Sequence, residues 1–215
     1  MFAAPFRSSA ILAVVAGTLA LGACADSPTS PTAAPSGGPL ASQALAQPGI
    51  AKYEIEYMEF TINHHMGGVA LASLCLERAT NPDLRALCQE AKTTQTREIG
   101  VLRGWLQDWY GISYQGMILP EAQANVARLR AIPSVDAFQN QFLDTFSMGH
   151  LQIIEESLKA TRRVRHEALD NLAESIVTSQ SRQVIQMQTW DCQWYGECDD
   201  DLLRQAEKAL KQLKT

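Results

Sequence analysis

From Tyr53 onward the apolar residues recur three or four positions apart in long runs, the spacing of a helix face, and no stretch alternates as a strand would. Met58, Ile62, His65, Val69, Ala72 and Leu76 form one such stripe. The run breaks at "ATNPD", where Asn81 suits an N-cap and Pro82 the first helical position, whose N–H needs no partner. A second stripe carries Leu84, Cys88, Ala91, Gln95, Glu98, Leu102, Trp105 and Trp109, and Gly111 ends it. A third, weaker stripe holds Leu143, Ser147, His150, Ile154, Ser157 and Thr161. The fourth holds Leu169, Ala173, Ile176, Gln180, Gln183, Met187, Trp190 and Trp194. Between the second and third, "LPEAQANVARLRAIPS" reads as a short connecting helix, and Asp201 to Leu213 as a final amphipathic one.

The four long stripes are two copies of one pattern. Shifted by 85 residues, the chain matches itself without a gap: Tyr53 falls on Phe138, His65 on His150, Arg78 on Arg163 and Gln95 on Gln180. Trp105 falls on Trp190, and Trp109-Tyr110-Gly111 on Trp194-Tyr195-Gly196. Each copy, about 50–111 and 135–196, predicts a helical hairpin with an apolar seam. Two such hairpins bury their seams by closing on each other, so the expected fold is all-α, a four-helix bundle over residues 50–215.

Polar residues interrupt the stripes at one level. If both helices of a hairpin rise equally per residue, positions equidistant from the turn near residues 80 and 81 face each other. His65 then lies opposite Gln95 and Glu98, and His150 opposite Gln180 and Gln183. With His64 beside His65, this predicts a buried polar layer, where each unpartnered group costs roughly 1–3 kcal/mol. A hydrogen-bond network satisfies such a layer, and so does a metal, for which neutral imidazole is a common ligand. Met66, Met148, Met58 and Met187 sit near it in sequence, and thioether with imidazole favours copper, above all Cu(I), over hard cations. For each Met the alternative is core filling. A ferritin-type di-iron site needs Glu-x-x-His on helices of both copies, and no Glu-x-x-His occurs.

Ahead of the bundle, Arg7 precedes an apolar run from Ala10 to Leu21, too short for a lasting membrane span and typical of a signal peptide (residues 1–23). Leu21-Gly22-Ala23-Cys24 resembles a bacterial lipobox, whose cysteine becomes the lipidated N-terminus. Residues 24–49, rich in Ala, Ser, Thr, Gly and Pro, read as a flexible tether. The expected location is extracytoplasmic, with a lipid anchor in a bacterial membrane. The chain has 18 basic and 23 acidic side chains; without Arg7 the balance is 17 to 23, net −6. There is no basic patch, so nucleic acid is not an expected partner. Cys75 and Cys88 come nearly level across the first turn and suit a disulfide, and Cys192 and Cys198 a local one; thiolate metal ligation is the competing reading. His166, at the second turn, reads as a solvated histidine.

"YMEFTINHHMGGVALA" followed by "QTREIGVLRGWL" resembles the domain of unknown function 305 family, which includes periplasmic copper-binding proteins of the CopM type. The resemblance covers residues 53–196. It implies a ferritin-like helical fold and handling of copper or other metals. The first copy keeps the family's Ile62, His64, His65, Gln95, Glu98 and Ile99, but has Thr61 and Leu102 at the two Met positions. In the second copy Phe146 stands for the first Met, Gly149 for the first His and Gln183 for the Glu, while Met187 keeps the last Met. The expected metal ligands are His64 and His65, with His150 third, Glu98 as ligand or supporting carboxylate, and Met66, Met148 and Met187 conditional. The resulting expectation is a lipoprotein that binds or buffers copper. Competing readings are a metal-free structural or interaction module and, third, a di-iron or copper oxidase. No nucleophile arrangement, phosphate loop or catalytic carboxylate pair is present, so an enzyme is not expected. Homo-oligomerisation is left open by the sequence.

Overall fold

The computed structural model describes residues 48–213, and among them it contains six helices and no strand. They are α1 (Pro48–Arg78), α2 (Pro82–Tyr110), α3 (Pro120–Arg130), α4 (Val135–Ala160), α5 (Glu167–Tyr195) and α6 (Asp200–Gln212). Helix α1 begins at Pro48, slightly before the domain start expected at residue 50. The signal peptide, Cys24 and nearly all of the tether lie outside the described residues. No described helix is long and apolar enough to cross a membrane.

The helix ends form where the sequence places them. Asn81 accepts from the Asp83 and Leu84 N–H groups at 2.9 and 3.2 Å, with Pro82 at the first helical position. Gly111 and Gly196 close α2 and α5 in the left-handed conformation, at φ 70° and 73°. Helix α1 packs along α2 and α4 along α5, and α1 also meets α4.

The core consists of two apolar halves. One contains Leu74, Leu84, Phe138, Phe142, Phe146 and Met187, and is covered by Ala206 and Ala209 of α6. The other contains Tyr57, Met58, Ile62, Leu102, Leu106 and Leu169. Each fully buried large side chain contributes about 1.5–3 kcal/mol relative to exposure. The turn end of the first helix pair therefore shares its core with the open end of the second.

Equivalent contacts fasten both ends. Gln139 Oε1 accepts the Thr80 and Asn81 N–H groups, each at 2.9 Å. Glu54, 85 positions earlier, accepts the N–H groups of Arg165 and His166 at 2.6 and 3.1 Å. Arg78 lies over the Phe138 ring and Arg163 over Tyr53, 4.5 and 3.7 Å from the ring centroids. Arg78 also donates to the carbonyls of Leu129, Arg130 and Ile132, which ties the end of α3 and the residues after it to α1.

The expectation for His166 is overturned. It is 5% exposed, and its Nδ1 donates to Glu54 at 2.7 Å. Its ring stacks on Trp109 at 3.9 Å between centroids, 5° from parallel. Burial follows because the second turn is pressed against the start of α1, where Glu54 lies on the buried face.

Both expected disulfides form: Cys75–Cys88 joins α1 to α2, and Cys192–Cys198 links the end of α5 to the approach to α6. In the chain-entropy picture, closing the first of these loops is worth on the order of 3 kcal/mol. Bonds of this kind persist in oxidising compartments.

Candidate metal centre

The polar layer lies where the two apolar halves meet. His65, Gln95, Glu98, His150 and Gln180 are all at most 3% exposed. His65 Nε2 donates to the Glu98 carboxylate at 2.8 Å. The equivalent pair, His150 Nε2 and Gln183 Oε1, also lies at 2.8 Å. In both cases the partners are 33 residues apart, as the equal-height argument requires.

The three histidines differ in what their other ring nitrogen meets. His65 Nδ1 is buried without a partner. In the neutral tautomer that donates from Nε2, this atom carries a lone pair. A carboxylate fixing one imidazole nitrogen so that the other presents a lone pair is the usual support of a metal-bound histidine. The Gly149 backbone is a hydrogen-bond partner of the His64 ring, while His64 Nδ1 is buried and unpartnered, so the bond falls to Nε2. Burial, with His65 and His150 close by, lowers the His64 pKa to about 3, so the ring is neutral at pH 7. His64 therefore also presents a bare Nδ1. His150 is lowered to about 4, chiefly by burial, but its ring bonds both Gln183 and the Phe146 backbone. It shares the wall with His64 and differs from it in having neither nitrogen free.

Gln95 packs against Gly68 of α1, three residues beyond His65. A Cβ at Gly68 would collide with Gln95 Oε1, so only glycine there lets this amide dock. That oxygen is buried and unpartnered, as is Gln180 Oε1. A cavity of about 340 Å³ opens beside the layer, bounded by α1, α4 and α3, with His64, Gln95 and His150 in its wall. Helix α3 acts as the cover: a Cβ at Gly67 would lie 2.6 Å from the Ala122 Cβ. The segment before α3 is held by Asn63, which donates to Tyr114 Oη at 2.7 Å and accepts the Met117 N–H at 2.8 Å.

The methionines separate. Met148 is 58% exposed and lines the cavity next to Gly149 and His150. Met66 is not part of that wall; Arg103 donates to its Sδ at 3.8 Å. Met187 is fully buried in the first apolar half, a core-filling role. Among the described residues no three His, Cys, Asp or Glu side chains converge to hold a metal. His64 stands in the cavity wall with Met148 at its edge, while His65 is not among the lining residues; the cavity thus presents one free imidazole nitrogen and a thioether, donors suited to a soft ion, and does not fit an all-protein cage.

A second buried polar group, Glu54 with His166 and Tyr110, was not anticipated. Burial alone would raise Glu54, but hydrogen bonds from the Arg165 and His166 backbone, Tyr110 Oη and the His166 ring hold it below the ordinary carboxylate range. Its signals were Glu54 on a buried face and the 85-residue register that equates His166 with the N-cap Asn81.

The fold matches solved structures over nearly their whole length. The Cu(I)-bound form of CopM superposes with a TM-score of 0.60 at 22% identity, covering 66% of this chain and 98% of that one. The Ag-bound form obtained by soaking gives 0.60 at 22% identity, covering 66% and 97%. A DUF305 fragment from Deinococcus radiodurans gives 0.57 at 22%, covering 66% and 96%. No curated protein sequence matches significantly. The family model described as domain of unknown function (DUF305) matches residues 54–191, most of the chain and the whole of the polar layer. The chain belongs to the DUF305 family.

Proposed function

We propose that this protein is an extracytoplasmic, lipid-anchored binder or buffer of a soft transition metal, copper first, and not an enzyme. The observation that carries this reading is the character of the unpartnered atoms. His64 Nδ1, His65 Nδ1, Gln95 Oε1 and Gln180 Oε1 are all buried, and all are acceptors when the imidazoles are neutral. Buried acceptors left without donors are costly, and a cation at this level would satisfy those it reaches. Two imidazoles with a nearby thioether select a soft ion.

In this reading His64 and His65 hold the ion. Glu98 orients His65, and the Gly149 backbone orients His64. Met148 offers a thioether where the cavity meets solvent. The solved Cu(I)-, Cu(II)- and Ag-bound forms of CopM share the fold, which supports the same class of cargo here. The disulfides agree with an exported chain, and the Cys24 lipobox would supply the anchor.

A second reading, a metal-free structural module, has its own support in His150, whose two nitrogens are both partnered within the protein. Nitrogen-15 NMR of the histidine rings under anaerobic Cu(I) addition separates the two. For the metal site, the Nδ1 resonances of His64 and His65 shift while both Nε2–H signals persist. For the structural module, no ring nitrogen moves.

A further inference from the structure

The two disulfides have opposite surroundings. Cys75 and Cys88 are fully buried between α1 and α2, whereas Cys192 and Cys198 are both exposed. Cys198 also lines a surface hollow whose other walls include Asp144, Asp191, Glu197 and Asp199. The exposed bond spans Gly196, whose left-handed backbone at φ 73° turns the chain from α5 toward α6. It thereby holds the approach to α6 against the end of α5.

Carboxylates gather at the same place. Asp191, 4% exposed, is pushed up to about 6, first by burial, with Glu197 and Asp144 adding and the Asn140 amide opposing. Asp144 is also raised, first by burial and then by Asp199, with Glu197 adding and Arg128 opposing. Glu197 and Asp199 belong to the segment that the disulfide retains, Asp144 and Asp191 to α4 and α5, so like charges push this segment outward. Arg204 lines the hollow too, but its ion pairs are with Asp200 and Asp201 of its own helix. The grip of α6 on the bundle is small: its buried residues are Ala206 and Ala209, with Leu213 partly buried beside them.

We infer that Cys192–Cys198 is a thiol-exchange site, which a dithiol reductant cuts while Cys75–Cys88 stays closed, and that α6, pressed outward by the carboxylates, then lifts from the bundle. The attacking thiolate bonds to Cys198 Sγ, and Cys192 leaves as a thiolate that takes a proton. The second thiol of the reductant displaces Cys198 as its thiol and closes the reductant's own disulfide. Two electrons and two protons pass to the protein, and neither step involves the polar layer.

The test treats the purified full-length protein with dithiothreitol, maps the thiols by alkylation and mass spectrometry, and follows amide hydrogen exchange along the chain. Cys192–Cys198 should open about tenfold faster than Cys75–Cys88, or more, because access governs the attack. Exchange in residues 200–212 should then quicken by about tenfold, while α1 and α2 stay unchanged. Cys192→Ser/Cys198→Ser should show the same loosening with no reductant. Adding Asp191→Asn and Glu197→Gln to that variant should restore most of the protection, because the repulsion is gone. Equal opening of the two disulfides overturns the inference. So does unchanged exchange in α6 once the exposed bond is cut, or quickening along the whole bundle alike. Loosening that persists undiminished after the two neutral substitutions overturns it as well.

Discussion

At the scale of single residues, the contrast between His64 and His150 decides most. Both are neutral at pH 7, held at about 3 and about 4 against about 6.5 for a free ring, because burial disfavours the cation. Below pH 6.5 the unfolded chain takes up protons on both rings that the fold refuses. Stability is therefore fully present above 6.5 and falls as pH drops toward 4 and then 3, by about 1.4 kcal/mol per unit for each ring. Asp191, pushed up to about 6 by burial, acts in the opposite sense as pH falls from about 6 to its ordinary value. Urea denaturation at pH 7, 6, 5 and 4 should show declining stability, with a steeper decline in Asp191→Asn. A profile flat to pH 4 in that variant would contradict the buried neutral histidines. The pairing of His65 with Glu98 was legible from the sequence because equal rise per residue fixes levels across a hairpin. The Gly149 contact that fixes His64 was not, because it depends on how α1 crosses α4, and periodicity is silent about crossings.

Helices were read with most success where local chemistry sets them. Asn81 with Pro82 starts α2 and the glycines end α2 and α5, since caps and left-handed turns need only neighbours along the chain. The second turn departs from its expectation for the converse reason: His166 is buried by a contact with Glu54 of α1, 112 residues away. That contact joins the two helix pairs, and it can be tested. Glu54→Ala leaves the Arg165 and His166 N–H groups and Tyr110 Oη without their acceptor and should cost roughly 3–5 kcal/mol in denaturant unfolding. Glu54→Gln should cost less, because Gln139 performs the equivalent backbone capping with an amide. Equal losses for both substitutions would show that the carboxylate charge, and not the capping geometry, holds the turn. Metal uptake by Glu54→Gln should be unchanged, since this group belongs to the end of the bundle and not to the polar layer.

For the whole molecule, two apolar halves enclose a polar waist, and the waist is where the two copies have diverged. The first copy retains His64, His65 and Glu98; the second has Gly149, His150 and Gln183 in those places. One copy thus keeps two imidazoles, of which His65 is held by a carboxylate, and both copies line the cavity, with α3 as the cover. The central claim is that His64 and His65 bind a soft metal ion at this waist. Its most direct test is an anaerobic Cu(I) titration of the protein against a chelator of known affinity, beside a His64→Ala/His65→Ala variant shown to be folded. The expected result is stoichiometric uptake by the wild type that the variant loses. If neither protein competes with the chelator, or both compete equally, the imidazole pair is a structural layer and the copper assignment fails.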